Sequence, residues 1–227
     1  MIQLNNITKD FFDGNTDVNV LQSTTVTIND SEFTAIIGPS GSGKSTLLTI
    51  IGALQKPTEG TLEINGIDSY SLSENQRSDL RFKKIGFVLQ GSNLVPYLTI
   101  REQFELKLKI AKVSNKQKID EMLERLSITK IQDKYPDDVS GGERQRAAIG
   151  LALILEPTIL LADEPTASLD TEKAYQVVEI LKNISRDLGT AVVMVTHDQR
   201  MLPYCDRVLQ MQDGVLSEDN TVYNSKP

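Results

Sequence analysis

The sequence is short of residues that build covalent or metal-bound frameworks: it has one cysteine, Cys205, and one histidine, His197, among 227 residues. A single cysteine excludes an intrachain disulfide, and it excludes a zinc insertion built on several cysteines. Long apolar runs are also missing. None approaches the ~18–20 residues of a membrane span, and the longest, such as residues 158–162 and 191–195, have the length of strands. The opening MIQLNNITKDFF lacks the positive region and apolar core of a secretory signal. A cytosolic chain is expected, with any membrane role supplied by a partner. Positive charge is in deficit as well: 24 Lys and Arg against 31 Asp and Glu give a formal charge of −7. That balance argues against nucleic-acid binding through a broad basic footprint and against a polybasic membrane anchor. No repeat and no low-complexity tract occurs.

What remains is ordinary globular material, 39% apolar and 24% charged, enough for one large domain or a core with a smaller lobe. Short alternating runs at residues 2–6, 18–21 and 25–28 read as strands broken by a turn at Asp13-Gly14-Asn15. Residues 33–37 form a strand-like apolar run ending at Gly38, and a helix is expected over 46–54. Further strands are expected at 61–64 and 84–90. Residues 91–155 read as mostly helical, with Ile119, Met122, Leu123 and Leu126 on one face. The runs 158–162 and 191–196 have parallel-sheet character, and a helix over 172–188 joins them, stopped by Gly189. The expected organisation is α/β: a core lobe of residues 1–90 and 158–220, a helical subdomain of 91–157, and a loose tail of 221–227.

Gly38-Pro39-Ser40-Gly41-Ser42-Gly43-Lys44-Ser45 fits G-x-x-x-x-G-K-[ST] between a strand and a helix. Glycines let the backbone turn its N–H groups inward without Cβ atoms in the way, and the helix adds its positive end. The expected nucleotide-binding set is these eight residues with Thr46. Lys44 reaches the β- and γ-phosphates of ATP, and Ser45 ligates Mg²⁺. The apolar run 159–162 ends in Asp163-Glu164, at the sheet edge where the phosphate loop opens. Asp163 is expected to hold Mg²⁺. Glu164, pointing to the other side, is expected to polarise the attacking water as general base. His197 follows the strand 191–196 and is expected at the γ-phosphate or the water. Gln90 ends the strand 84–89 and offers an amide to Mg²⁺ or water.

Together these pieces resemble the ATP-binding cassette (ABC) family over nearly the whole chain. Val139-Ser140-Gly141-Gly142-Glu143-Arg144-Gln145-Arg146 is similar to the family's signature, LSGGQ followed by a basic helical stretch. The resemblance implies a P-loop NTPase core with a β-rich N-terminal subdomain and an inserted α-helical signature subdomain. It implies an ATPase that forms a head-to-tail homodimer around two MgATP, with Ser140, Gly141 and Gly142 serving the partner's nucleotide. Phe11, or alternatively Phe12, falls where the family stacks an aromatic ring on adenine. Ser168-Leu169-Asp170 resembles the loop that communicates between the two sites, and His197 the switch histidine. Gln90 with residues 91–102 resembles the region that meets a separate integral-membrane permease, which implies a place on the cytoplasmic face of the membrane. Val139 and Glu143 depart from the usual Leu and Gln, and activity is expected to survive both. Residues 161–170, LADEPTASLD, resemble the ATPases of macrolide exporters and lipoprotein-release transporters. Residues 94–99, LVPYLT, resemble haem-efflux ATPases, so the lean is to export. The alternative is a soluble ABC ATPase acting on ribosomes or DNA. Such proteins carry long coiled-coil or zinc insertions, or two cassettes with a basic linker, and neither is present.

Overall fold

The computed structural model describes residues 1–221 and 223, apart from residues 13 and 15. The turn expected at Asp13 and Asn15 and the tail at 222 and 224–227 lie outside the described residues. In chain order the strands are β1 (Ile2–Phe12), β2 (Asp17–Ile28), β3 (Phe33–Ile37), β4 (Glu59–Ile64), β5 (Ile67–Asp68), β6 (Ile85–Val88), β7 (Ile159–Asp163), β8 (Ala191–Val195), β9 (Arg207–Gln212) and β10 (Val215–Glu218). The helices are α1 (Lys44–Ile51), α2 (Glu74–Lys84), α3 (Ile100–Ile110), α4 (Gln117–Arg125), α5 (Gly141–Leu153) and α6 (Thr171–Leu188).

Two sheets result. One is four-stranded, in the order β2-β1-β4-β5; the other is six-stranded, in the order β10-β9-β3-β8-β7-β6. In the second, β3, β6, β7, β8 and β9 run parallel, and β10 alone is antiparallel. The parallel strands are apolar without interruption because both faces are covered. On β7, Ile159 and Leu161 face one core, while Leu160 and Ala162 face the other. The same alternation puts Val193 and Val195 of β8 on the first side and Val192 and Met194 on the second.

The first core is filled by α1, which lies between the two sheets. Leu47, Leu48, Ile50 and Ile51 pack there with Ile2, Leu4, Leu62 and Ile64, all at most 2% exposed. The second core belongs to α3–α6. Along α6, Ala174, Val177, Val178 and Leu181 recur at helical spacing and are buried, Asp170 caps the N-terminus, and Gly189 stops it at φ +68°. In α4, Ile119, Met122 and Leu123 are buried on the face read from the sequence, and Leu126, its C-cap, joins them.

The structure departs from the sequence reading in several places. β1 and β2 are two long strands rather than several short ones. β1 stays continuous because a register shift between Leu4 and Ile7, with Asn6 at φ +51°, absorbs the break. The first helix begins two residues earlier than expected, at Lys44, and ends at Ile51. β6 stops at Val88, so Gln90 lies two residues beyond the strand. α2, β9 and β10 were not expected at all. α2 buries no residue and is announced only by the reciprocal cap of Ser73 and Gln76.

Candidate functional site

Parallel strands deliver their carboxyl ends to one edge of a sheet, and a crevice opens there. Here β3, β6, β7 and β8 end at that edge, followed by the glycine-rich loop, Gln90, Asp163-Glu164 and His197. A cleft of about 540 Å³ results. It is lined by Gly38, Ser40, Gly41, Gly43, Lys44, Ser45, Thr46, Gln90, Asp163, Glu164 and His197, together with Val20 and Val195. Its volume suits a nucleotide-sized ligand.

Two glycines shape the loop. Gly38 has φ +149°, and a Cβ there would sit 2.0 Å from the Met211 carbonyl oxygen. Gly43 has φ +106°, and a Cβ there would meet Leu21 Cδ2 at 2.8 Å and the Val20 oxygen at 2.9 Å. The loop therefore nestles against β9 and β2 in a way no side chain permits. Lys44 folds over it, donating to the carbonyls of Gly38 at 2.9 Å and Pro39 at 2.7 Å. The first turn of α1 carries no acid, and no side chain caps its N-terminus. Its free N–H groups and positive dipole end are thus open to an anion.

The carboxylates sit opposite. Strand alternation places Glu164 on the far side from Asp163, but both line the same cleft. The reason is local: Glu164 has φ +48°, so the chain turns as β7 ends, while the Glu164 N–H donates to the Val195 oxygen at 3.0 Å. A non-glycine residue there stores about 1–2 kcal/mol, a load typical of functional sites. His197 Nδ1 lies 2.9 Å from Glu164 Oε1. Glu164 Oε2 is buried with no hydrogen-bond partner among the described residues, and an orphan of this kind costs about 1–3 kcal/mol. Asp163 is pushed above the usual carboxylate range, chiefly by burial and then by the charge of Glu164, with Lys44 opposing.

Other expected residues lie outside the cleft. Ser140 caps α5 and forms a closed box with Glu143. Glu143 Oε2 accepts from the Ser140 N–H at 2.9 Å and from its hydroxyl at 2.6 Å. These two bonds hold the Glu143 carboxyl below its usual range. Gly141 is exposed, and a Cβ there would touch nothing closer than Leu169 at 3.6 Å. Asp170 caps α6 by accepting from the Lys173 N–H at 3.0 Å and pairs with its ammonium at 2.5 Å. Lys173 also covers Gly142, so the starts of α5 and α6 adjoin. Phe11 and Phe12 pair in register with Val18 and Asp17 and are 40% and 71% exposed.

The segment after Gln90 borders a second concavity, a groove of about 410 Å³ that includes Ser92 and Asn93. Buried Gln103 pins this segment: its Oε1 accepts from the Val95 N–H at 2.9 Å. Sequence reasoning missed Val20 at the nucleotide cleft and Lys107 at the groove. Neither stands in a motif, and only the folded arrangement of β2 and α3 singles them out.

Known proteins share this arrangement. Residues 21–167 match the family model described as ABC transporter. The chain is 43% identical over 216 residues, 94% of its length and 97% of the other's, to a protein of Staphylococcus haemolyticus whose provisional description is hemin import ATP-binding protein HrtA. It is 38% identical over 226 residues, 96% of both chains, to an uncharacterized ABC transporter ATP-binding protein of Methanocaldococcus jannaschii, MJ0796. A dimeric structure of that cassette in a post-hydrolysis state, bound to ADP and Pi, superposes with a TM-score of 0.85 at 37% identity. It covers 96% of this chain and 98% of that one.

Proposed function

The chain belongs to the ABC transporter family as an ATP-hydrolysing cassette, and on that premise we propose that two copies close head to tail around two MgATP to drive a separate membrane permease. One observation carries the pairing. The phosphate cleft contains none of Ser140, Gly141 and Gly142, which open a second helix whose start at Ser140 and Gly141 is exposed. A second copy brings the missing half. The solved structures of the Methanocaldococcus jannaschii relative are dimeric, which supports pairing of two copies. Residues 91–157 then carry Ser140 as a helical unit against the core lobe of 1–90 and 158–220.

In this reading the loop N–H groups and Lys44 hold the phosphates, Lys44 exchanging its two carbonyl partners for phosphate oxygens. Pro39 and Ser42 shape the loop, and Thr46 continues it into α1. Phe11 rather than Phe12 takes the adenine, because its register partner Val18 stands two residues before Val20, which walls the cleft. Ser45, Gln90 and Asp163 offer hard oxygen donors beside the loop. Such a set suits Mg²⁺, which takes few protein ligands and neutralises phosphate charge. Glu164 accepts the proton of the attacking water; His197 stands against its Oε1, and its Oε2 has no hydrogen-bond partner among the described residues. His197 steadies Glu164 through Nδ1 and leaves Nε2 for the γ-phosphate. Asp170 fixes the start of α6 beside the partner-facing signature.

The permease is a separate chain in this proposal. Among the described residues no helix is long and apolar enough to cross a membrane, and the groove beside Ser92 and Asn93 offers a docking place. Cargo and direction are assigned to the permease. The staphylococcal relatives do not support the lean to export, since their provisional description is of hemin import. The test is affinity capture of tagged Glu164→Gln protein with ATP from detergent-solubilised native membranes. A co-purifying membrane protein with a few spans supports the reading. Ribosomal or DNA-bound factors without a permease sink it.

A further inference from the structure

The acidic balance of the chain is an average, and one stretch departs from it. Residues 106–119 hold five lysines and no Asp or Glu, in a sequence whose formal charge is −7. The stretch covers the end of α3, the connection 111–116 and the start of α4. Two of its lysines are engaged. Lys107 donates to the Leu151 carbonyl at 2.6 Å, and Lys118 pairs with Glu156 at 2.7 Å. Lys109, Lys112 and Lys116 are exposed, and no carboxylate pairs with them among the described residues. The flanking acids do not neutralise them. Asp120 is taken by Arg101, and Glu105 makes no ion pair with Lys109, four residues on.

Helix electrostatics explain only part of this. The carbonyl end of α3 favours Lys109, but Lys116 is the N-cap of α4, where a cation opposes the helix dipole. Apolar side chains are interleaved with the cations: Ile110 is 60% exposed and Val113 37%. The backbone fixes the corner. Lys112 at φ +58° stops α3, and the Val113 N–H donates to the Leu108 carbonyl at 2.9 Å. Asn115 Oδ1 accepts from the Gln117 N–H at 3.1 Å as α4 begins. Unpaired cations around exposed apolar side chains match an anionic phospholipid surface. There the phosphates meet the ammonium groups, and the apolar side chains reach the acyl boundary. A nucleic acid meets the same ammonium groups but gains nothing from Ile110. Acids elsewhere on the surface are screened beyond about 10 Å at 0.1 M salt, so the corner acts on its own charge.

We propose that the corner between α3 and α4 rests on the headgroups of anionic phospholipid. Lys109, Lys112 and Lys116 pair with the phosphates, and Ile110 and Val113 reach between them. The contact requires neither the pairing of two copies nor the permease.

The experiment is vesicle flotation of the purified chain at low salt. Vesicles of phosphatidylglycerol and phosphatidylcholine in equal parts should carry the chain up the gradient, and pure phosphatidylcholine vesicles should not. Each of Lys109→Gln, Lys112→Gln and Lys116→Gln should weaken partition about fivefold, and the three together about a hundredfold. Ile110→Ser should weaken it severalfold. Circular dichroism confirms that each variant is folded. Lys56→Gln, Lys84→Gln and Lys130→Gln together remove the same charge from exposed positions elsewhere and should leave partition nearly unchanged. Flotation that does not depend on phosphatidylglycerol overturns the proposal, as does an equal loss in the two triple variants. Flotation indifferent to Ile110→Ser, with a short DNA duplex bound as tightly as the vesicles, overturns the lipid in favour of a nucleic acid.

Discussion

The decisive side chains are those whose partners are wrong for the unassembled chain. Glu164 keeps one carboxylate oxygen without a hydrogen-bond partner among the described residues. Replacing it with Gln leaves the His197 contact possible and removes the base. Hydrolysis should fall by roughly 10²–10⁴ in a phosphate-release assay while nucleotide affinity holds; near-normal turnover would exclude the general-base role. Glu143 poses the opposite problem. It occupies both donors of Ser140, so a phosphate arriving at Ser140 meets a carboxylate first. Glu143→Gln preserves the cap and removes the charge. In a Glu164→Gln background the ATP-bound dimer should form roughly three- to tenfold more tightly by light scattering, and an unchanged association constant would refute the competition. Lys107 has a pH signature. Its folded-state value, about 8, lies below the ordinary lysine value, so the folded chain bears the burial penalty while the ammonium is charged, fully below about 8. As pH rises from there toward 10 the penalty is relieved. Wild-type stability should therefore gain on Lys107→Met over that window in chemical denaturation; a pH-independent difference would contradict it.

Elements were legible where a pattern had a single cause. The loop, β3, β7, β8 and α6 declare themselves, because two-face burial makes a strand apolar throughout and a cap with a stop glycine brackets a helix. α2 did not, because no residue of it is buried and only Ser73 and Gln76 mark its start. In β9, Leu209 and Met211 alternate with Gln210 and Gln212 over four residues only, at the lower limit of what periodicity separates from chance. Asp163, Lys44 and Ser45 were readable as a site because motif and strand order agree. The shared side of Glu164 was not, since a left-handed turn breaks the alternation the sequence suggests. Close crossings are equally silent. Gly150 of α5 faces Leu126 and the Phe104 ring, and a Cβ there would come within 2.4 Å of Leu126 Cδ1. Both neighbours are buried and cannot give way cheaply. Gly150→Ala should destabilise the chain by about 1–3 kcal/mol in urea titration, loosening α3 from α5; a neutral effect would show that the crossing relaxes freely.

At the scale of the whole molecule, the two helix starts that the proposed pairing would bring together lie apart in one chain: α1 opens into the cleft and α5 opens outside it. Activity should therefore depend on encounter. Specific ATPase activity of the isolated chain should rise with protein concentration at saturating ATP and level off once pairs predominate, whereas activity strictly proportional to chain concentration down to high dilution would mean that one copy suffices. The same separation has a genetic face. On the proposed pairing, a Glu164→Gln copy keeps its signature helix and should enter pairs with intact copies and detain them. Its defect should behave as dominant in a cell carrying both alleles, while a copy unable to pair at all should behave as recessive.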